Sequence, residues 1–321
     1  MGSLDRRLLA LEPQYCERVW GGKRLRAANP PVGEAWIAYG SSRVGAGLLA
    51  GRTLDELSAE DGPAVLGRAV SERFGTRFPL LIKLLDTADW LSVQVHPDDE
   101  QAERMVGPGE FGKTEAWYFL AAEPDARIIA GVKPGVGPAD LADAIREGRI
   151  LEVAGSVDVA VGKALLIPAG TLHALGPGIL VYEIQQASDT TYRVYDWDRP
   201  GSVGRKLHLD EAIEVTRAVG PTGLTRPEVR RDTGAAPAVG CRYFDLDMMC
   251  VSPVGGPFEG DTLGQSFQIL TVIEGAVRVE CDGESIDLRR FETAFVTGEA
   301  GAYAVAATGG PARLLRSAVP S

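Results

Sequence analysis

Turn-forming residues constrain this chain first, because it carries 39 glycines and 20 prolines in 321 residues. That is about half again what an average usage of roughly 12% would supply. Glycine gives the left-handed backbone that tight turns need, and proline presets φ at their entry. Such a density implies many short strands closed by turns rather than a helical bundle. The run QILTVIEGAVRVECDGESIDL reads as two alternating strands with turns at Glu274-Gly275 and Asp282-Gly283. FETAFVTGEAGAYAV continues the series. The length exceeds the usual ceiling for one core, so two domains or a duplicated architecture are expected. Segments near 160–185 and 270–305 share a strand, glycine turn, strand rhythm that hints at duplication.

Three helical patterns interrupt the strands. In 53–74, Leu54, Leu57, Val65, Leu66, Ala69 and Val70 recur at helical spacing around Asp61-Gly62-Pro63. The others lie at 139–150 and 209–218. The last divides a motif-dense part, 1–218, from a motif-poor part, 219–321, in which 219–240 reads as linker.

A charged content of 24% and an apolar content of 45% leave ample core. The net charge of −11 argues against wrapping nucleic acid or lying on anionic lipid. A pocket can still be locally basic. No apolar run is long enough to span a bilayer, and no signal-peptide h-region is visible. The four cysteines form no C-x-x-C framework, so reduced thiols and a cytoplasmic location are expected.

Chemistry gathers in three segments. In WLSVQVHPDD (90–99), strand alternation puts Ser92, Gln94 and His96 on one face and Leu91, Val93 and Val95 on the other. Taken alone, the polar face could equally be solvated; inside a barrel, it would need something to bind. In GKTEAWYFL (112–120), Lys113 and Glu115 share a face with Trp117 and Phe119, so Glu115 is either a ligand or a surface ion-pair partner. In GKALLIPAGTLHA (162–174), Gly162, Pro168, Gly170 and His173 match the second cupin motif, G-x5-P-x-G-x2-H. The turn in that motif aims its histidine at the barrel interior. Gln94, His96, Glu115 and His173 then form a mixed nitrogen and oxygen donor set that suits Zn²⁺, and they use two of the three histidines. A neutral glutamine leaves zinc plus one carboxylate at a net charge of about +1, favourable to an anionic oxygen. His208 is read as an ordinary structural histidine.

With QVHPDDEQA, GKTEAWY, IPAGTLHALGPG and EIQQASDTTYRVYDWDR in this order, the chain resembles the type I mannose-6-phosphate isomerases in their short bacterial form. PQYCERVWGGKRL, VGEAW and FPLLIKLLDTADW resemble that family as well, and the match is dense over about 8–215. The resemblance implies a mainly β fold of two cupin-type jelly-roll barrels (double-stranded β-helices) with small helical insertions. It implies one Zn²⁺ per chain on Gln94, His96, Glu115 and His173, and interconversion of mannose 6-phosphate and fructose 6-phosphate through a cis-enediol. Around the metal it places Lys83, Lys113, Asp189 and Arg193. Arg193 and Lys113 are expected to stabilise the enediolate, with Asp189 orienting Arg193 or a hydroxyl. The base stays open among Lys113, Glu115 and a group linked to Asp189. Lys83, with a hydroxyl hydrogen bond from Ser92, is the expected phosphate anchor. The expected partner is the sugar phosphate, with neither nucleic acid nor membrane, in a monomer or homodimer. Ala116, Lys163 and the residue after Trp36 depart from the family pattern. The absence of histidine after 208 makes the C-terminal barrel metal-free. An Fe(II) oxygenase using two histidines and one carboxylate, and a non-catalytic phosphosugar-binding cupin, are the rival readings.

Overall fold

A computed structural model describes residues 7–199 and 205–321; Met1–Arg6, part of the stretch read above as lacking a signal sequence, lies outside them. The chain divides into two units. One is made of residues up to Gln14, Trp36–Ile82 and Arg226–Ser321, the other of Tyr15–Ala35 and Lys83–Thr225. The expected single boundary at 218/219 is therefore corrected. Val219 accepts a hydrogen bond from Val132, and Thr225 exchanges two with Ala164, so the chain as far as 225 is tied to the second unit. The helical insertion at 53–74 also moves. It forms three short helices, Leu54–Glu60, Gly62–Leu66 and Arg68–Phe74, that belong to the first unit.

Each unit is a jelly roll of antiparallel sheets. In the first, one sheet orders Leu8–Leu11, Thr293–Val296, Gln268–Glu274, Ala312–Ala318, Asp245–Val251 and Gly234–Gly240. The other orders Phe258–Asp261, Ala302–Ala307, Ala276–Cys281 and Glu284–Arg289. The Asp282-Gly283 turn closes the last hairpin with both residues at positive φ, 46° and 81°, the geometry that this pair favours.

In the second unit, one sheet orders Gln14–Gly22, Val32–Ala38, Leu80–Thr87, Ile179–Gln186, Glu115–Ala122 and Ala164–Ile167. The chain passes from one unit to the other within three of these strands, Gln14–Gly22, Val32–Ala38 and Leu80–Thr87. The facing sheet orders Tyr192–Tyr195, Val93–Val95, His173–Leu175, Arg127–Val132 and Ala154–Asp158. Val93, Val95, Ile129, Leu172 and Ala174 pack outward against Leu141, Ile145, Ala212 and Val215. Those four come from the helices Pro138–Arg146 and Leu209–Val215, which form where their amphipathic patterns predict. With the helices covering the outer face, the opposite face of the same strands must point into the barrel. Leu91 departs from the alternation read above. The strand begins only at Val93, and Leu91 joins the interior cluster with Trp20, Trp117, Phe119 and Leu175.

All four cysteines are free thiols. Among the described residues, no helix is long and apolar enough to cross a membrane.

Candidate metal centre

The barrel register brings the chemistry together. His173, Gln94 and Arg193 lie opposite one another across three neighbouring strands, and Gln185 lies opposite Glu115 in the facing sheet. His96 follows Val93–Val95 directly, and its carbonyl accepts from Gly170 N at 2.8 Å, which ties one histidine segment to the turn that aims the other. Gly170 takes φ +82°, and a Cβ there would meet the Arg217 side chain and the Val215 carbonyl at 3.0 Å. Gly170→Ala is therefore expected to cost more than about 1 kcal/mol. A lowered urea midpoint, with reduced metal retention as His173 shifts, would show it.

His96, Glu115 and His173 each offer a donor atom, all within 4.8 Å of one another and all buried. His96 Nε2 lies 3.4 Å from Glu115 Oε2, and His173 Nε2 lies 3.3 Å from Glu115 Oε1. The Nδ1 atoms face backbone carbonyls, His96 that of Thr190 at 2.9 Å and His173 that of Thr171 at 2.8 Å. A carbonyl only accepts, so each Nδ1 carries the proton and each Nε2 lone pair points at the carboxylate. Among the described residues, His96 Nε2 and both Glu115 oxygens have no hydrogen-bond partner. Facing lone pairs and a carboxylate, desolvated together, repel unless a cation sits among them.

Protonation agrees with that arrangement. Burial, reinforced by Lys113, pushes the His96 imidazole down to about 3. Burial lowers His173 as well. Burial alone would raise Glu115, but Lys113, His173 and His96 outweigh it and hold the carboxyl below its usual range. Two neutral imidazoles and one carboxylate are the forms that bind metal. Gln94 closes the set from the side, with Nε2 3.3 Å from His173 Nε2 and Oε1 3.4 Å from the Ser92 hydroxyl. A half-turn of that amide presents Oε1 to the cluster and lets Nε2 donate to Ser92 Oγ.

Beside the cluster lies a cavity of about 320 Å³, whose wall includes Gln94, Lys113, Lys83, Asp189 and Arg193. Lys113 Nζ is 3.5 Å from Glu115 Oε2 and so joins the cavity to the cluster. Ser92 is the exception among the expected residues. It is fully buried and absent from the cavity wall, and its hydroxyl lies 3.4 Å from Gln94 Oε1. Lys83 lines the wall but is held by Glu183 Oε1 at 3.2 Å and Gln185 Oε1 at 2.9 Å.

Sequence reasoning missed Glu183, Arg18, Glu34 and Arg205, all on the cavity wall. For Glu183 a signal existed. Val181, Glu183 and Gln185 alternate along Ile179–Gln186, and Val181 belongs to the interior cluster. Trp117 Nε1 donates to Glu183 Oε2 at 2.9 Å. Burial lifts the Glu183 carboxyl against the pull of Lys83, whereas Lys83 stays above its usual value because Glu183, Glu34 and Glu115 outweigh its burial. His208 is more than incidental. Its Nδ1 accepts from Arg193 N at 3.3 Å, and its own N–H donates to the Arg193 carbonyl at 2.8 Å.

Residues 8–119 match the family model for the phosphomannose isomerase type I catalytic domain. The chain is 42% identical over 234 residues to a probable mannose-6-phosphate isomerase, GmuF, of Bacillus subtilis (strain 168), covering 69% of this chain and 72% of that protein. The crystal structure of a Bacillus subtilis mannose 6-phosphate isomerase superposes with a TM-score of 0.85 at 31% identity, over 97% of this chain and 99% of the other. A zinc-bound mannose 6-phosphate isomerase shares the fold at 18% identity, with a TM-score of 0.79 over 98% and 100% of the two chains. This chain belongs to the type I phosphomannose isomerase family.

Proposed function

We propose that this protein is a zinc-dependent isomerase interconverting mannose 6-phosphate and fructose 6-phosphate, acting in the cytoplasm as a monomer or homodimer. The observation that carries this reading is the buried donor set. It combines two inward lone pairs with a buried carboxylate that has no hydrogen-bond partner among the described residues, and Gln94 and Lys113 join it to a cavity rich in cationic side chains. Gln94, His96, Glu115 and His173 would hold the metal. Bound there, Zn²⁺ supplies Lewis acidity toward the sugar oxygens at C1 and C2.

The protein's own residues do the rest. The open-chain sugar loses and regains a proton between C1 and C2 by way of a cis-enediol. Lys113 and Arg193 stabilise the negative charge that develops on its oxygens. Glu183 is the carboxylate best suited to carry the proton, because burial raises its pKa and it lies on the cavity wall. Glu115, enclosed by the histidines and Lys113, is better matched to ligation than to proton transfer. Asp189 orients Arg193 or a sugar hydroxyl.

A coupled assay on mannose 6-phosphate tests the reading. Activity should vanish with a chelator, return with added Zn²⁺, and carry solvent deuterium onto the sugar. Iron in the purified protein, with O₂ consumption and no sugar turnover, would favour the oxygenase. Phosphosugar binding without exchange of the C2 proton would reduce the protein to a binding module.

A further inference from the structure

Three guanidinium groups line the cavity: those of Arg18, Arg193 and Arg205. Two of them are held in rigid forks. Glu34 takes Arg18 Nε at 2.8 Å and Nη2 at 2.9 Å, and the Glu17 carbonyl takes Nη1 at 3.0 Å. Asp196, which is buried, takes Arg205 Nη2 at 2.8 Å and Nε at 3.4 Å, and is itself fixed by Arg199 Nη1 at 2.8 Å. Each carboxylate occupies the Nε/Nη2 edge of its arginine. A guanidinium has five N–H donors, so both arginines keep N–H groups on Nη1 and Nη2 for a second anion among the described residues.

Arg193 registers the convergence of charge. Burial lowers its pKa first, and the like charges of Arg205 and Arg18 lower it further against the pull of Asp196 and Asp189. Its Nε has no hydrogen-bond partner among the described residues. The cavity wall carries five cationic side chains, Arg18, Lys83, Lys113, Arg193 and Arg205, against three acidic ones, Glu34, Glu183 and Asp189. Like charges gathered in a half-buried space repel one another, and a dianion placed among them removes that cost. Lys83 is committed to Glu183 and Gln185, and Ser92 is not on the cavity wall, so the arginines are the side chains placed to meet it.

We propose that Arg18 and Arg205 form the phosphate clamp of this cavity, with Glu34 and Asp196 as the positioning residues that hold their forks. This inference rests on the isomerase reading for the identity of the sugar, but not for the chemistry of the anion. The end of the substrate that does not react is thereby gripped by planar, bidentate donors, while Lys113 and Arg193 remain beside the reacting carbons.

The test uses full-length zinc-loaded protein, mannose 6-phosphate as substrate and inorganic phosphate as competitive inhibitor. Arg18→Gln and Arg205→Gln should each raise KM and the phosphate inhibition constant by about tenfold to a hundredfold, the range for one charged hydrogen-bonded contact. Zinc content should stay at one per chain, and kcat should fall less than KM rises. Arg205→Lys, which keeps the charge but loses the fork, should fall between wild type and Arg205→Gln. Asp196→Asn should raise KM while leaving zinc in place. Unchanged KM and phosphate inhibition in both glutamine variants of an active isomerase would overturn the clamp. If the wild type proves not to isomerise, calorimetric titration with inorganic phosphate still decides. Binding lost in Arg205→Gln upholds the clamp, and equal binding removes it.

Discussion

His173→Ala should abolish zinc binding and isomerase activity together. His173 Nε2 is one of the two inward-facing ring nitrogens, and the Thr171 carbonyl beside Nδ1 fixes the tautomer that leaves its lone pair free for a metal. Without it the set loses an imidazole and keeps a carboxylate, a glutamine and one histidine, too few for a closed zinc site. A metal acting as Lewis acid contributes several kcal/mol to the transition state, so kcat/KM should fall by at least about a thousandfold. Elemental analysis and the coupled assay measure the two losses. Stability provides a third readout. Zinc at about a hundred times its dissociation constant should stabilise wild type by about 2.7 kcal/mol and the variant by almost nothing. Full activity in metal-free His173→Ala protein would refute the metal assignment.

Lys83→Met is expected to be among the most destabilising single changes in the second unit. Lys83 and Glu183 are both buried, 3.2 Å apart, and Gln185 and Trp117 complete their hydrogen bonds. Removing the ammonium leaves the Glu183 carboxylate desolvated without its counter-charge, at a cost of about 3–5 kcal/mol. The double variant Lys83→Met/Glu183→Leu replaces both charges with apolar volume and should recover most of that loss. Urea midpoints of the two variants and wild type separate these outcomes. The double variant should remain inactive, because the cavity has lost the carboxylate proposed to carry the proton. A double variant no more stable than Lys83→Met would show that the pair is not energetically coupled as its geometry implies.

The strand pattern and the turn residues were legible because their physics is local. Alternation in Val93–Val95 already separates the apolar residues that meet the helices from the glutamine and histidine that face inward. The Pro168-Ala-Gly-Thr turn places His173 through one positive φ that only Gly170 tolerates cheaply. Glu183 could have been read in the same way and was overlooked, since its polar character in a buried alternating strand is the same signal that singled out Glu115. Whether Ser92 faces the cavity was not legible, because the strand begins one residue later and its hydroxyl lies against Gln94.

The sequence by itself therefore determined a turn-rich chain of short strands, the turn that aims a histidine and, within separate short motifs, the candidate ligands Gln94, His96, Glu115 and His173, while the two-barrel fold was implied by the family resemblance. Tertiary structure decided the rest. It assigned the helices of 53–74 to the first unit, extended the second to 225, and exposed Lys83 as a buried ion-pair partner. It also gathered Arg18 and Arg205, distant in the chain, onto one cavity wall. That meeting depends on which strands pair and on which carboxylate holds each fork. Strand pairing and charge contacts between residues far apart in sequence have no local pattern. Hence a chain with a net charge of −11 can still fold around a basic cavity.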